Sequence, residues 1–300
     1  MDISKKLREI TKKEADDSYE ELKETPSRNI DLSRVGLKTL DYFFLNHRIK
    51  TKTKRHISFY DAIKNKDITA HLNTLVIRYK KKLLTNYDEI GLLKAQYQVF
   101  QLYYGTVNQF RPMVAKYVYT TLKPKVGILD FSSGWGGRLL AAMSMNIPYI
   151  GIDANTKLKK SYEQMIDRYE SAKNVKMIFK PSEKVDFSKF NYDLIFTSPP
   201  YFMIEEYETM PAYTSKQDFL DTFFIPVVMS AWNNLIDGGN MALNMPEEMY
   251  DAIKTHLPKI KRTFTLPLSN RHPTNSSVGS KLGKENKERH ELIYVWHKQK

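Results

Sequence analysis

The chain has 300 residues, of which 41% are apolar, and 47 Lys and Arg against 34 Asp and Glu give it a formal charge of +13. That composition supports a real core in one large domain, or a domain with an appendage, and the charge calls for an anionic partner, most often nucleic acid. The lack of cysteine excludes disulfides, thiolate metal sites and thiol nucleophiles; with no stretch of membrane-span length and no secretion signal, a soluble intracellular protein is expected, in the cytoplasm of a bacterium or of a virus-infected cell.

Residues 1–104 read as mainly helical. KKLREITKKEADDSYEELKE (5–24) is a charged, weakly amphipathic helix whose charges suit a solvated face. NHRIKTKTKRH (46–56) carries five Lys or Arg, two His and no acid. Such a run is often only a solvated loop, but Arg48, Lys50, Lys52, Lys54 and Arg55 are candidate phosphate contacts. SFYDAIKN (58–65) and HLNTLVIRYKKKLL (71–84) read as further helices.

From residue 105 the pattern changes to strands alternating with helices. NQFRPMVAKYVYTTLK (108–123) is an amphipathic helix entered through Arg-Pro. VGILDFSSGWGGRLL (126–140) reads as a buried strand, a glycine turn and a helix start. YIGIDAN (149–155) is a second strand ending in an acid. Leu158, Tyr162, Met165, Ile166 and Tyr169 then recur at helical spacing. KMIFK (176–180) and YDLIF (192–196) are the next strands. A long apolar helix (218–236), a strand GGNMALNM ending before Pro246, and a helix (247–257) follow. RTFTLPL (262–268) and ELIYVWH (291–297) are the last strands. This order predicts an α/β fold with a doubly wound sheet.

The glycine turn has a physical task, since glycines let backbone approach a ligand and the helix start offers free N–H groups. Leu139 stands where a dinucleotide-binding turn has its third glycine, which argues against a nicotinamide cofactor. Asp153, at the end of the second strand, suits ribose hydroxyls; an ordinary turn aspartate would look the same.

Thr-Ser-Pro-Pro-Tyr (197–201) ends the fourth strand. Proline removes an N–H and holds its predecessor extended, so the turn offers acceptors with few competing donors. A flat group carrying an NH2 suits it, stacked on Tyr201 and bonded to Ser198 and the Pro199 carbonyl. A Pro-Pro pair after a strand is, standing alone, usually just a loop.

Taken together, Ser198-Pro199-Pro200-Tyr201 and Asp130…Gly134-Trp135-Gly136 resemble the motifs of the amino-group DNA methyltransferases, over residues 105–300. That family methylates N4 of cytosine or N6 of adenine in DNA with S-adenosylmethionine. The resemblance implies a seven-stranded class I methyltransferase-like sheet, closed by an antiparallel pair, with residues 1–104 as a helical extension open to nucleic acid. It implies a cofactor site at Asp130, Ser132, Gly134, Gly136 and Asp153. Phe110, Arg111 and Pro112 would cover the methionine part, and Ser182, Glu183 and Asp186 would lie at the adenine. Ser198, Pro199, Pro200 and Tyr201 would be catalytic, acting on a flipped-out base, with Phe202 and Tyr207 lining the pocket. The serine slightly favours cytosine. Arg271, Lys281 and Lys284, in the polar basic segment 269–290, would add phosphate contacts.

Two departures stand out: Phe131 follows Asp130 where the family often has proline, and Trp135 is bulky between two glycines. RNA bases, a protein side-chain amide, or a catalytically silent nucleic-acid-binding subunit remain as alternatives. The release-factor glutamine methyltransferases also use a Pro-Pro-Tyr turn, but with asparagine. No Cys or His cluster has metal-ligand spacing. Carbon-5 methylation of a pyrimidine is excluded, because it normally needs a thiolate to add to the ring.

Overall fold

The charged segment that opens the chain folds as two helices, not one. α1 (Ile3–Leu7) stops before a capping box, where Thr11 Oγ1 accepts the Glu14 N–H at 3.2 Å and the Glu14 carboxylate accepts the Thr11 N–H at 2.9 Å. α2 (Lys12–Glu24) starts there, and its Ala15, Tyr19 and Leu22 are buried. The expected solvated face is therefore only half of this helix. The computed structural model describes residues 3–31, 33–53, 55–79, 88–201, 205–206, 213–267 and 290–299.

α3 (Leu37–Lys50) is apolar on two sides. Leu40 and Phe44 pack toward the sheet, whereas Leu45 and Ile49 join a separate helical cluster. That cluster contains α4 (Phe59–Ala62), α5 (Lys66–Tyr79) and α6 (Glu89–Tyr103). Between α3 and α4 the short β1 (Lys52–Thr53) leaves the helices. The start of the predicted basic loop is thus the last turn of α3.

α7 (Pro112–Leu122) begins with proline at its first position, where the missing N–H costs nothing. Then β2 (Ile128–Asp130), α8 (Gly137–Ser144), β3 (Tyr149–Asp153), α9 (Lys159–Arg168) and β4 (Val175–Phe179) alternate. β5 (Leu194–Thr197) follows, and β6 (Glu205–Glu206) pairs antiparallel with β1. α10 (Lys216–Phe219) runs through a π turn (Leu220–Phe224) into α11 (Ile225–Asn233). The cause is Pro226, which lacks an N–H and whose ring would collide with the preceding turn. The Ile225 N–H accordingly reaches back five residues to the Leu220 carbonyl. β7 (Asn240–Met245), α12 (Glu247–Ile253), β8 (Arg262–Pro267) and β9 (His290–His297) complete the chain.

The main sheet has seven strands in the order β4-β3-β2-β5-β7-β9-β8. β4, β3, β2, β5 and β7 are parallel, and β9 lies antiparallel to both neighbours. The doubly wound sheet with an antiparallel closing pair is therefore as expected. The chain winds outward from β2 to β4, then returns to β5 and winds the other way. The reversal leaves a crevice at the carboxyl ends of β2 and β5, where such sheets bind ligands.

One face of the sheet is covered by α7, α8 and α9 together with α2 and α3, and the other by α10, α11 and α12. The helical extension is welded to the first face by Lys116 of α7. Its buried ammonium donates to the carbonyls of Leu22, Lys23 (2.9 Å) and Thr25 (2.8 Å), the open end of α2. Arg168 of α9 pairs with Asp16 of α2 in the same way. Among the described residues no helix is long and apolar enough to cross a membrane.

Candidate active site

The crevice is built by two turns. The first leaves β2 as Ser132-Ser133-Gly134-Trp135-Gly136. Gly134 (φ +60°) and Gly136 (φ +73°) are both left-handed, a conformation that favours glycine. Their missing side chains serve different ends. A Cβ on Gly134 would meet nothing nearer than the Ser132 carbonyl at 3.9 Å, so this position opens outward. A Cβ on Gly136 would press on Phe44 and Met165 at 3.1 Å, so this glycine makes room for α3 and α9. Trp135 turns away from the crevice into the core, so its bulk does not obstruct the turn. Gly137 is also required, because a Cβ there would overlap the Phe110 carbonyl at 2.0 Å.

Asp130 corrects the sequence reading. Its carboxylate is wholly buried and saturated by the protein. It accepts from Arg138 Nε (2.7 Å) and Nη2 (3.2 Å), Thr197 Oγ1 (2.7 Å), the Ser132 N–H (3.2 Å) and the Tyr149 hydroxyl. No lone pair is left for a ligand, so Asp130 shapes the glycine turn from behind. Arg138 and Thr197 were missed. The signal for Arg138 was a single charge inside the apolar run GRLLAAM.

Asp153 closes the turn from the β3 side. Its carboxylate accepts the Gly134 N–H at 2.7 Å and the Asn155 N–H at 2.8 Å. Burial pushes its carboxyl up to about 6; the two N–H bonds oppose this, and the charge of Asp130 adds to it. Ser132 lies between the two turns, with Oγ 2.6 Å from Thr197 Oγ1 and 3.0 Å from the Ser198 carbonyl.

The second turn leaves β5 as Ser198-Pro199-Pro200-Tyr201. Pro199 is buried, and Ser198, Pro200 and Tyr201 are half-buried. Ser198 Oγ lies 3.4 Å from the Tyr201 hydroxyl and 3.4 Å from Asn244 Oδ1. The Tyr201 hydroxyl reaches the Asn244 main-chain oxygen at 3.2 Å. Asn244 was also missed; its signal was the second of two asparagines in the otherwise apolar strand NMALNM.

The remaining predicted residues divide. The Phe110 ring stands edge-on to Phe196 and beneath the Arg138 guanidinium, beside the glycine turn. Arg111 stands at the N-cap position of α7 and reaches the Asp31 carbonyl at 3.4 Å, and Pro112 is buried at the helix start. Two expected adenine contacts already make bonds within the protein. The Ser182 hydroxyl is spent on the Phe131 carbonyl, and the Asp186 carboxylate caps its own turn through the Ser188 N–H (3.2 Å) and hydroxyl (2.6 Å). Glu183 is exposed beside them. Arg48 is also corrected, since its side chain is 10% exposed and bonds Asp41 at 2.5 Å and the Val107 carbonyl at 3.3 Å. Lys50, Lys52 and Arg55 are exposed. Lys54, Phe202, Tyr207, Arg271, Lys281 and Lys284 lie outside the described residues. Among the described residues no group of acids and histidines could hold a metal ion.

Strand order, a reversed β9, a glycine turn after β2 and an acid ending β3 are now in place. This is the fold of the class I methyltransferases. S-adenosylmethionine is the cofactor that this fold binds, and the open, left-handed turn at Gly134 fits it. No family model and no curated protein matches the chain.

Among solved structures the chain is similar to TrmN from Thermus thermophilus, at 16% identity over 62% of this chain and 48% of that one, with a TM-score of 0.44. It is also similar to an rRNA methylase from Streptococcus thermophilus, at 12% identity over 65% and 100% of the two chains (TM-score 0.41). A third is an RNA methyltransferase from Salinibacter ruber in complex with S-adenosyl-L-homocysteine, at 13% identity over 65% and 95% (TM-score 0.39). The chain spans about half the length of the first of these.

The resemblance to the amino-group DNA methyltransferases is not upheld as membership. No model of that family matches, and the matched structures are named for tRNA, rRNA and precorrin methylation among others. The physical reason is that both motifs occupy positions set by the sheet. A glycine turn after β2 and a ligand turn after β5 follow from the switch point, and they do not encode a target polymer.

Proposed function

We propose that the protein transfers a methyl group from S-adenosylmethionine to an exocyclic amino nitrogen of a nucleic-acid base, with unpaired RNA as the substrate. One observation carries the reading: Ser132 touches both Thr197 and Ser198, so the cofactor turn and the proline turn share a single hydroxyl. Donor and acceptor of the methyl group would meet across that bond.

When bound, S-adenosylmethionine supplies an electrophilic methyl group. The backbone of residues 132–136, Asp153 and Phe110 would hold it. Ser198 Oγ and the Pro199 carbonyl accept the amine hydrogens and draw the nitrogen toward tetrahedral geometry. Each such preorganised bond contributes on the order of 2–4 kcal/mol at the transition state. Tyr201 offers an aromatic face to the base. With no cysteine in the chain, no ring-addition route to carbon 5 exists.

RNA is favoured on access and charge. An amine inside a duplex is out of reach of a turn recessed at a sheet edge, whereas RNA loops present unpaired bases. The exposed Lys52 lies on β1, with Lys50 and Arg55 beside it, and β1 pairs with β6 just past Tyr201. Backbone contacts along this ridge would guide the strand. A protein amide also carries an NH2, but the formal charge of +13 favours a polyanion.

The test is nucleoside mass spectrometry after incubation with isotope-labelled cofactor and, separately, total RNA, single-stranded DNA and duplex DNA. Label on N4 of cytidine or N6 of adenosine in RNA is expected. Label at carbon 5 would overturn the chemistry, and label confined to DNA would overturn the choice of polymer.

A further inference from the structure

The two hydroxyls of the proline turn converge on one side chain. Asn244 of β7 is 3% exposed, and its amide is held at both ends. At the nitrogen end, Nδ2 donates to the Leu292 carbonyl at 3.1 Å, and the neighbouring Glu291 carboxyl is near enough for this side chain to favour its charged form. At the oxygen end, Oδ1 lies 3.4 Å from Ser198 Oγ and 3.4 Å from the Tyr201 hydroxyl.

This arrangement fixes which way the amide faces. The Leu292 carbonyl, with the Glu291 carboxyl close by, sits at its nitrogen, and the Ser198 hydroxyl sits at its oxygen. A flipped amide would set Oδ1 against the Leu292 carbonyl and the Glu291 carboxyl, acceptor against acceptor, and the network would lose its bonds. Asn244 therefore receives the Ser198 proton at Oδ1, 3.4 Å away, while the Tyr201 hydroxyl donates to the nearer Asn244 main-chain oxygen at 3.2 Å. A serine whose proton is so committed presents only lone pairs to the crevice.

We infer that Asn244 is a positioning residue that makes the Ser198 hydroxyl a dedicated acceptor, so that the site selects a group that donates, an –NH2, over a ring nitrogen or a carbonyl. The inference rests on the proposed function for the identity of the substrate and goes beyond it in naming the residue that sets the selection. Burial raises the Glu291 carboxyl, with the Asn244 bond and the Arg111 charge opposing the shift. Its placement beside the Asn244 nitrogen provides a second handle on the same device.

The experiment is equilibrium competition in the presence of S-adenosylhomocysteine. The probes are a single-stranded RNA with one cytidine, the same strand with that ring lacking its 4-amino group, and the matching adenosine and purine pair. The unaltered protein should prefer the amino base about tenfold in at least one pair. Asn244→Leu, close in shape, should abolish the preference and lower kcat, while affinity for S-adenosylhomocysteine stays within about threefold and reports an intact fold. Asn244→Asp keeps an acceptor for Ser198 but faces the Glu291 carboxyl. Its amine preference should survive at low pH, where the pair shares a proton, and fade as pH rises. Equal preference in Asn244→Leu and the unaltered protein would overturn the inference, and so would an amine preference in Asn244→Asp that shows no pH dependence. If the unaltered protein prefers the amine yet methylates no base, the proposed function falls and the role of Asn244 stands. If it methylates bases but shows no amine preference, the reverse holds.

Discussion

Asp130→Asn tests whether this side chain belongs to the buried network or to the cofactor. Asp130 is fully buried and Arg138 is 4% exposed in its side chain. Breaking such a pair from one side leaves a buried charge uncompensated, which costs about 3–5 kcal/mol. Asparagine still offers one oxygen to Thr197 and the Ser132 N–H, so about 3 kcal/mol is expected. At about 2–4 °C per kcal/mol for a domain of this kind, the melting temperature should fall by about 6–12 °C. The assay is thermal unfolding by circular dichroism, with calorimetric titration of S-adenosylhomocysteine on the same sample well below the transition. Affinity should fall far less than stability. Replacing both partners, as Asp130→Leu with Arg138→Met, should cost less than Asp130→Leu alone. An unchanged melting temperature with a tenfold or greater loss of affinity would place Asp130 at the cofactor and refute the reasoning.

The Asp153 carboxyl, pushed up to about 6, should make cofactor affinity fall as pH drops through 6, and Asp153→Asn should flatten that profile; titrations between pH 5 and 8 that show no slope in the unaltered protein would sink the ribose role. Because the folded chain holds this proton more tightly than the unfolded chain, with its ordinary value of 3.8, the stability from this group is present below 3.8 and lost as pH rises through about 6. Neutralising Lys50, Lys52 and Arg55 together should weaken RNA binding and reduce the slope of log affinity against log salt by about 2, at about 0.7 per phosphate contact. Arg48→Ala should instead lower stability and leave the slope alone, as filter binding across a salt series would reveal. Lys116→Met strips three carbonyls at the end of α2 of their donor and should speed proteolysis near residues 24–27 before any loss of the sheet; an unchanged cleavage pattern would deny Lys116 that role.

The sheet was legible because its strands are short apolar runs closed by glycine, acid or proline, and the helices between them carry helical spacing. The partners of the site side chains were not legible. Asp130 ends a strand, and only the return of α8 across it brings Arg138 into contact. Asn244 looks like an interruption of an apolar strand until β5 and β9 bring hydroxyls to one end of its amide and acceptors to the other. The basic run misled for a simpler reason. Its first members lie on a helix, where two positions differ by about 200°, so Arg48 turns inward and Lys50 outward. Ser182 and Asp186 show the same limit, because a polar side chain beside a crevice can bond a distant carbonyl, as Ser182 does, or its own turn, as Asp186 does, and composition does not record which.

Phe44, which crowds the missing side chain of Gly136, has a calorimetric consequence. α3 gives Phe44 to the wall of the glycine turn and, from its opposite side, gives Leu45 and Ile49 to the helical cluster. Neither region keeps a full core without this helix, so heat should melt them in one endotherm whose van't Hoff and calorimetric enthalpies agree. A fragment cut at residue 105 would retain the glycine turn, Asp153 and the proline turn, yet the back of its glycine turn, where Phe44 now packs, would face water.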